Sequence, residues 1–306
     1  MLRMFVAGGT GVIGRRVVPA LVGAGHRVVA AARSEEGRAK LAAQGTTAVV
    51  VDLFDADAVR KAMGEQDIVI NLSTHIPSST KKMLLAWSWR ENDRVRRLGS
   101  ANLAAAAQAG GADCFIQESF AGIYQDAGDR WIDEKFRVMP AKYNQSVLDA
   151  EASAKKFNKA GGRGIVLRFG AFYGPDSFAT RDMIQMVRKG TNPLPGSPDA
   201  YVSSISHDDA AAAVVSAVHL PSGTYNVVDD EPVTRRAWGE SLAAALGVKP
   251  PAPFPRLIAK LGGSTVELLS RSQRISNHKL HEFSDWEPKA RSIGDAWPAL
   301  LAALVK

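Results

Sequence analysis

The residues that most restrict how this chain can fold are its earliest glycines. Ala7-Gly8-Gly9-Thr10-Gly11-Val12-Ile13-Gly14 follows a short apolar run, 3–7, and opens a stretch, 12–24, with apolar residues at helical spacing and Gly25 behind it. A strand that turns this sharply into a helix needs backbone positions without a Cβ, and so does any close approach of that backbone to a bulky anion. The helix then points unpaired N–H groups and the positive end of its dipole back at the turn. A glycine motif alone says little; one set between strand and helix at the start of the chain reads as a dinucleotide site. Gly8, Gly9, Thr10, Gly11, Val12, Ile13 and Gly14 are therefore the candidate cradle for a pyrophosphate.

The pattern beyond the turn supports the same architecture. Strand-like runs at 27–32, 48–51, 67–72, 114–117 and 164–168 alternate with helical runs at 35–44, 55–63, 83–109 and 144–159. Strands alternating with helices imply a parallel sheet covered on both faces. After the proline-containing loop 191–198, the chain reads as a helix over 206–220, a strand over 224–228 and a helix over 233–247. Pro250, Pro251, Pro253 and Pro255 then interrupt it before a last helical region. The expected fold is α/β, a Rossmann-type doubly wound parallel sheet with a smaller C-terminal substrate lobe. Residues 1–170 would form the nucleotide domain, with 206–229 returning to it. Residues 171–205 and 230–306 would form the lobe.

The residues after the second strand bear on the choice of cofactor. An acid there would hold the ribose hydroxyls and favour NAD. The strand instead ends Ala31-Ala32-Arg33-Ser34, and a guanidinium at Arg33 suits a 2′-phosphate. Ser34, with Arg38 or Lys40, would support it, so NADP is expected over NAD. Asp52 and Leu53 close the third strand, where Asp52 would accept from the adenine amine. Asn71, Leu72 and Ser73 close the fourth strand beside the cofactor, since ligands bind at the carboxyl ends of such strands.

Composition removes other classes. The net charge of +7 is spread along the chain without interleaved aromatics, so it suits anionic small ligands rather than nucleic acid. No apolar run is long enough to cross a bilayer, and the amino terminus lacks the layout of a signal peptide. The single cysteine, Cys114, lies in an apolar strand and fits a cytoplasmic setting. His207 beside Asp208 and Asp209 reads as a helix start with dipole-stabilising acids, and no metal site is expected.

Together, these segments resemble the extended short-chain dehydrogenase/reductase family, the NAD(P)-dependent epimerases and dehydratases. The resemblance rests on the glycine turn, Asp52-Leu53, Asn92, Tyr143–Glu151, Leu167–Pro175, Ile205–Ala210 and Gly223–Val227. It implies a seven-stranded sheet, a small-molecule substrate held between the sheet's rim and the C-terminal lobe, and a monomer or homodimer. The family's signature is Tyr-x-x-x-Lys with a glutamate four residues on. Here Tyr143, Ser146 and Glu151 match, but Val147 stands at the lysine, which in the family holds the nicotinamide ribose and lowers the tyrosine pKa. The family's helper hydroxyl falls on Phe120, leaving Ser119, one residue earlier, as the candidate.

An unperturbed tyrosine has a pKa of about 10 and is only about 0.1% ionised at pH 7. Without the lysine, Tyr143 is a poor base but a competent acid, so reduction survives the substitution better than oxidation. His75, Tyr124, Phe172 and Tyr173 are the candidate substrate-pocket residues. Lys81 and Lys82, and a wall built from Trp87 or Trp89 and residues 254–256, are further candidates. The reading is an NADP-binding reductase or a sugar-type epimerase/dehydratase homologue. The alternative is a cofactor-binding sensor or scaffold without catalysis.

Overall fold

The computed structural model describes residues 1–83, 85–255 and 263–305. Its centre is a seven-stranded sheet, all parallel. In chain order the strands are β1 Arg3–Ala7, β2 Arg27–Ala32, β3 Thr47–Val50, β4 Ile68–Asn71, β5 Cys114–Phe120, β6 Arg163–Phe169 and β7 Gly223–Val227. Across the sheet they run β7-β6-β5-β4-β1-β2-β3. The winding direction reverses at β1, which has β2 on one side and β4 on the other. In open sheets the crevice outside the carboxyl ends at that reversal is where ligands sit.

Helices cover both faces: α1 Gly14–Gly23, α2 Glu35–Ala42, α3 Ala56–Met63, α4 Ser100–Ala109 and α5 Ser146–Lys159. Successive strand residues point to opposite sides, so β1 feeds two cores. Met4 and Val6 pack with Val17, Leu21, Ile70 and Ile116 on one face, joined by Val214 of the helix His207–Ser216. Phe5 packs with Val69, Leu103, Phe115 and Phe157 on the other. Cys114 is buried in the first of these cores, where burial pushes its thiol up to about 11 and leaves it inert. A separate apolar cluster forms around Trp238 and Trp297, with Ile184, Val187 and Leu242, among the helices Phe178–Arg188, Arg235–Leu246 and Ile293–Val305.

The expected helix over 83–109 is not uniform. Thr80–Met83 and the 3-10 turn Ala86–Trp89 precede Arg90–Arg94, a π-helical segment Val95–Gly99 follows, and α4 completes it. A π segment widens the turn and re-aims the side chains on it, and such segments gather at functional sites. The expected helix over 206–220 ends at Ser216 and finishes as a 3-10 turn, Ala217–His219. Its cap is Ser206, whose hydroxyl accepts from the Asp209 N–H at 3.0 Å. Asp208 and Asp209 follow in the first turn, as a helix start requires.

One ion pair ties β5, β6, β7 and α5 together inside the protein. Arg168 on β6 donates to both oxygens of Glu151 on α5, at 2.7 and 2.8 Å, and to the Tyr124 hydroxyl at 2.9 Å. Ser119 of β5 donates to Glu151 at 2.7 Å, and the Tyr124 hydroxyl donates to Asn226 of β7 at 2.7 Å. Burial alone would raise the Glu151 carboxyl; the Arg168 bonds and charge, with Ser119 and Lys155, outweigh it and hold the group below its ordinary 4.5. A folded-state pKa below the unfolded one gives stability that is complete above about that value and lost as pH falls through the native one. Arg168→Leu strands a buried carboxylate and is expected to cost about 3–5 kcal/mol in urea unfolding at neutral pH. The deficit should shrink as pH falls through the Glu151 pKa of the variant, which burial without Arg168 raises above the ordinary 4.5; a pH-independent loss would show that cavity formation, not charge, sets the cost.

Candidate cofactor and active site

The glycine turn divides its labour among its residues. Gly8 has φ +83°, and a Cβ there would lie 2.5 Å from the Leu72 carbonyl carbon at the end of β4. A Cβ on Gly14 would collide with the Gly8 carbonyl oxygen, and one on Gly9 would meet Leu41 at 3.0 Å. These three let α1 sit tightly against the strand ends. Gly11 differs: it is exposed, and its Cβ would meet only the Gly8 oxygen, at 3.2 Å. The open side of the turn is therefore the side an anion approaches. Thr10 and Val12 are exposed on the same turn. Ile13 caps α1 with no side-chain bond, and the first turn of the helix carries no acid. Among the described residues, the Val12, Ile13 and Gly14 N–H groups have no protein acceptor. The residues present fit a dinucleotide pyrophosphate.

Arg33 leaves the end of β2 into solvent, and Ser34 caps α2, its hydroxyl accepting from the Gly37 N–H at 3.2 Å. Arg38 and Lys40, the expected supports, are paired instead with Glu35 and Glu36, each at 2.6 Å. The polar contact Arg33 does make is to His75, whose Nδ1 is 3.2 Å from its Nη1. The His75 N–H donates to Asn92 Oδ1 at 2.8 Å, which anchors the loop after β4 on the helix that follows. The structure thus brings His75 to Arg33. Asp52 is exposed at the end of β3, its Oδ1 accepting from the Phe54 N–H at 2.9 Å. Leu53 packs 3.5 Å from the Cβ position of Gly99. Asn71 is fully buried, donating to Ser100 at 3.0 Å and Gln117 at 2.9 Å and accepting from the Ser73 N–H. It shapes the strand end from inside, while the Leu72 backbone forms the floor under Gly8.

Tyr143 sits in the 3-10 turn Lys142–Asn144, just before α5. It is 8% exposed and packs with Trp89, Phe120, Leu268, Met83 and Ala141; its ring centre lies 5.1 Å from that of Trp89. Burial pushes its hydroxyl up to about 12, against the partial opposition of the Arg96 and Arg271 charges and with a further rise from Glu267. Val147, four residues on in α5, is fully buried. Trp89 and Trp87 divide as their spacing requires: Trp89 is buried and Trp87 is 62% exposed.

Other expected site residues are placed in the interior. Ser119 is spent on Glu151, away from Tyr143, and Tyr124 is fully buried on Arg168 and Asn226. Tyr173 is 2% exposed, with its hydroxyl 3.4 Å from Asp229 and its ring against Trp297. Tyr124 and Tyr173 therefore brace the walls rather than present a face to a substrate. Phe172 is partly exposed, between Phe169 and His207. His207 is bonded to Asp176 at 2.8 Å, and no cluster among the described residues has the make-up of a metal site. The Lys81 side chain and Arg256 lie outside the described residues. A cavity of about 390 Å³, lined by Gln108, Asp113 and Arg163, opens at the amino ends of the strands, opposite the glycine turn.

The sequence reading passed over Arg96. Its guanidinium is buried and donates to Glu118 of β5 at 3.0 Å. The signal was present in the spacing: Asn92, Arg96 and Ser100 recur every four residues and form a polar stripe on one helix face. All three are buried, at 1%, 4% and 0% exposure, and all three reach the loops or strands at the sheet's carboxyl edge.

Comparison with known proteins agrees with this geometry. Residues 8–221 match the family model described as NAD(P)H-binding. The chain is 30% identical to a 3-diazoavenalumate denitrifying reductase from a Streptomyces species, over 96% of this chain and 98% of that one. It is 26% identical to a 2-alkyl-3-oxoalkanoate reductase of Shewanella oneidensis, over 87% of this chain and 72% of the other. Its fold superposes on the human epimerase family protein SDR39U1 crystallised with NADPH, with a TM-score of 0.80 at 19% identity, covering 98% and 99% of the two chains. With its seven-stranded parallel sheet and its glycine turn at the switch point, the chain belongs to the NAD(P)H-binding family, as an epimerase/dehydratase-type member of the extended short-chain dehydrogenase/reductases.

Proposed function

We propose that this protein is an NADPH-dependent reductase of a small carbonyl compound, with Tyr143 as the proton donor. The observation that carries the reading is the state of Tyr143: buried against Trp89 and Leu268, without the family's lysine, its hydroxyl lies at about 12. Such a group stays protonated at neutral pH and serves as an acid, not a base. Bound at the glycine turn, NADPH would supply the hydride. The Val12–Gly14 N–H groups would hold the pyrophosphate, and Arg33 and Ser34 the 2′-phosphate. Tyr143 would give its proton to the carbonyl oxygen as the hydride reaches the carbon. Two relatives, matched over 96% and 87% of this chain, carry the name reductase, one of them named for a 3-oxoalkanoate.

Val147 and Phe120 favour a second reading. Both residues replace groups that the family uses to move a proton, and some electrophiles accept hydride without one. A diazonium carbon is such a case: the hydride forms the new C–H bond and the C–N bond breaks to release N2. The Streptomyces relative is named for denitrifying a diazo compound. We place the protein in the cytoplasm, as a monomer or homodimer; among the described residues no helix is long and apolar enough to cross a membrane.

Two measurements test these assignments. By calorimetry, NADPH is expected to bind at least about tenfold tighter than NADH, a difference of about 1.4 kcal/mol. Arg33→Ala should narrow the gap, and equal dissociation constants in the wild type contradict the assignment of Arg33. Separately, NADPH oxidation is followed with a carbonyl panel and an arenediazonium salt. Tyr143→Phe should abolish carbonyl reduction without changing NADPH affinity. Retained carbonyl turnover removes Tyr143 as the acid. Turnover of the diazonium alone, unaffected by Tyr143→Phe, selects the second reading, and no turnover of either class leaves a cofactor-binding sensor.

A further inference from the structure

We propose that Arg96 is the cation that replaces, for Tyr143, the lysine missing at position 147. The inference rests on the reading of Tyr143 as the acid and adds the group that makes its ionisation tolerable. Two chain segments run side by side at the site. The Trp89 ring lies against Tyr143, Ser146 Oγ donates to Asp93 Oδ1 at 2.6 Å, and Arg97 Nε donates to Asp149 Oδ2 at 3.2 Å. Residues 89, 93 and 97 therefore track 143, 146 and 149, and Arg96 stands level with the position that the lysine would occupy on α5. Arg97, one residue on, points to solvent with 63% of its side chain exposed, whereas the Arg96 side chain is 5% exposed and turned inward. The π-helical segment Val95–Gly99 carries Arg96 and sets its direction.

The polar groups around it are incompletely matched. Among the described residues, Arg96 Nε and Glu118 Oε2 are buried without a partner, as are both amide atoms of Asn144, the residue after Tyr143. Buried polar atoms left unpaired cost stability, so a protein that keeps several at one place holds them for something else.

The charges facing the Tyr143 hydroxyl come from two directions. Arg271 arrives from the C-terminal side paired with Glu267, and the two act on Tyr143 in opposite senses. Arg96 arrives from the helix over 90–109, ion-paired with Glu118 of β5, and its charge lowers the Tyr143 pKa. Asp93, one turn back, is taken up by Ser146.

In the reaction, the Tyr143 O–H bond breaks and its proton forms the O–H bond of the product alcohol. The remaining tyrosinate is held among Trp89, Leu268 and Phe120, where an isolated anion is costly. Arg96 offsets that cost until water returns a proton. Arg96 acts through Tyr143 and is a positioning residue, not a catalytic one.

The test reads Tyr143 itself in the protein without ligand. A trifluorotyrosine introduced at position 143 ionises in an accessible pH range and is followed by fluorine NMR. Arg96→Gln combined with Glu118→Gln removes both members of the pair, so that no buried carboxylate is stranded. Its midpoint is expected to rise by about one unit, a tenfold weaker ionisation. Arg96→Lys keeps the charge and should stay near the parent, as should Glu118→Gln. In the natural-tyrosine background the double variant should lose about tenfold in kcat for carbonyl reduction, the factor that one unit represents, with KM for NADPH unchanged. An unchanged midpoint in a folded double variant overturns the proposal. If the double variant fails to fold, Arg96→Gln and Arg96→Lys are compared, and equal midpoints in those two overturn it as well. A shifted midpoint with wild-type turnover upholds the placement of Arg96 and counts against Tyr143 as the acid.

Discussion

Gly8 presses its backbone against the Leu72 carbonyl, and much of the molecule is arranged around that contact. With φ +83° and a hypothetical Cβ only 2.5 Å from Leu72, the position admits no other residue without moving β4 from β1. The approach brings the end of β4 beneath the turn and lets α1 start where its free N–H groups face outward. Gly14 then seats the first turn of α1 against Gly8 and Gly9. Packing and opening are thus divided within one turn: Gly8, Gly9 and Gly14 let strand and helix meet, and Gly11 leaves the helix terminus open.

How much was legible in the sequence follows from which interactions are local. The glycine turn, the strand–helix alternation and the helix start at His207–Asp209 depend on residues within a few positions of one another, and the sequence shows them directly. The end of β5 is different. Strand alternation can say that Glu118 and Ser119 face opposite ways, but not that α5 presents Glu151 to Ser119 while the helix before α4 presents Arg96 to Glu118. Tyr124 and Tyr173 look like cleft residues because they border family motifs; only their tertiary partners, Asn226 with Arg168 and Asp229, reveal them as interior braces. His75 was expected beside a substrate, yet the anchoring of its N–H on Asn92 turns its ring to Arg33.

The same structure shows how Tyr143 is kept ordered with an apolar residue, Val147, one turn on in α5. Tyr143 is held by apolar packing, by Trp89 on one side and Leu268 on the other, rather than by hydrogen bonds of its hydroxyl. Van der Waals contact fixes the ring without committing the proton. Its acidity is then set by desolvation against the nearby arginines, terms that can be altered without disturbing the fold. The buried Glu151–Arg168 network carries the structural load behind it.

The function depends first on a dinucleotide occupying the open side of the turn. The direct measurement is calorimetric titration of NADPH into the wild type and into Gly11→Val. Gly11 lacks a positive φ, and its Cβ would meet only the Gly8 oxygen, at 3.2 Å, so the variant should fold with the wild-type circular dichroism spectrum at some cost in melting temperature. Its branched side chain would occupy the approach to the Val12–Gly14 N–H groups. The expected result is saturable binding to the wild type and a loss of about a hundredfold or more, about 2.7 kcal/mol, in the variant. Wild-type affinity in a folded Gly11→Val protein would contradict it.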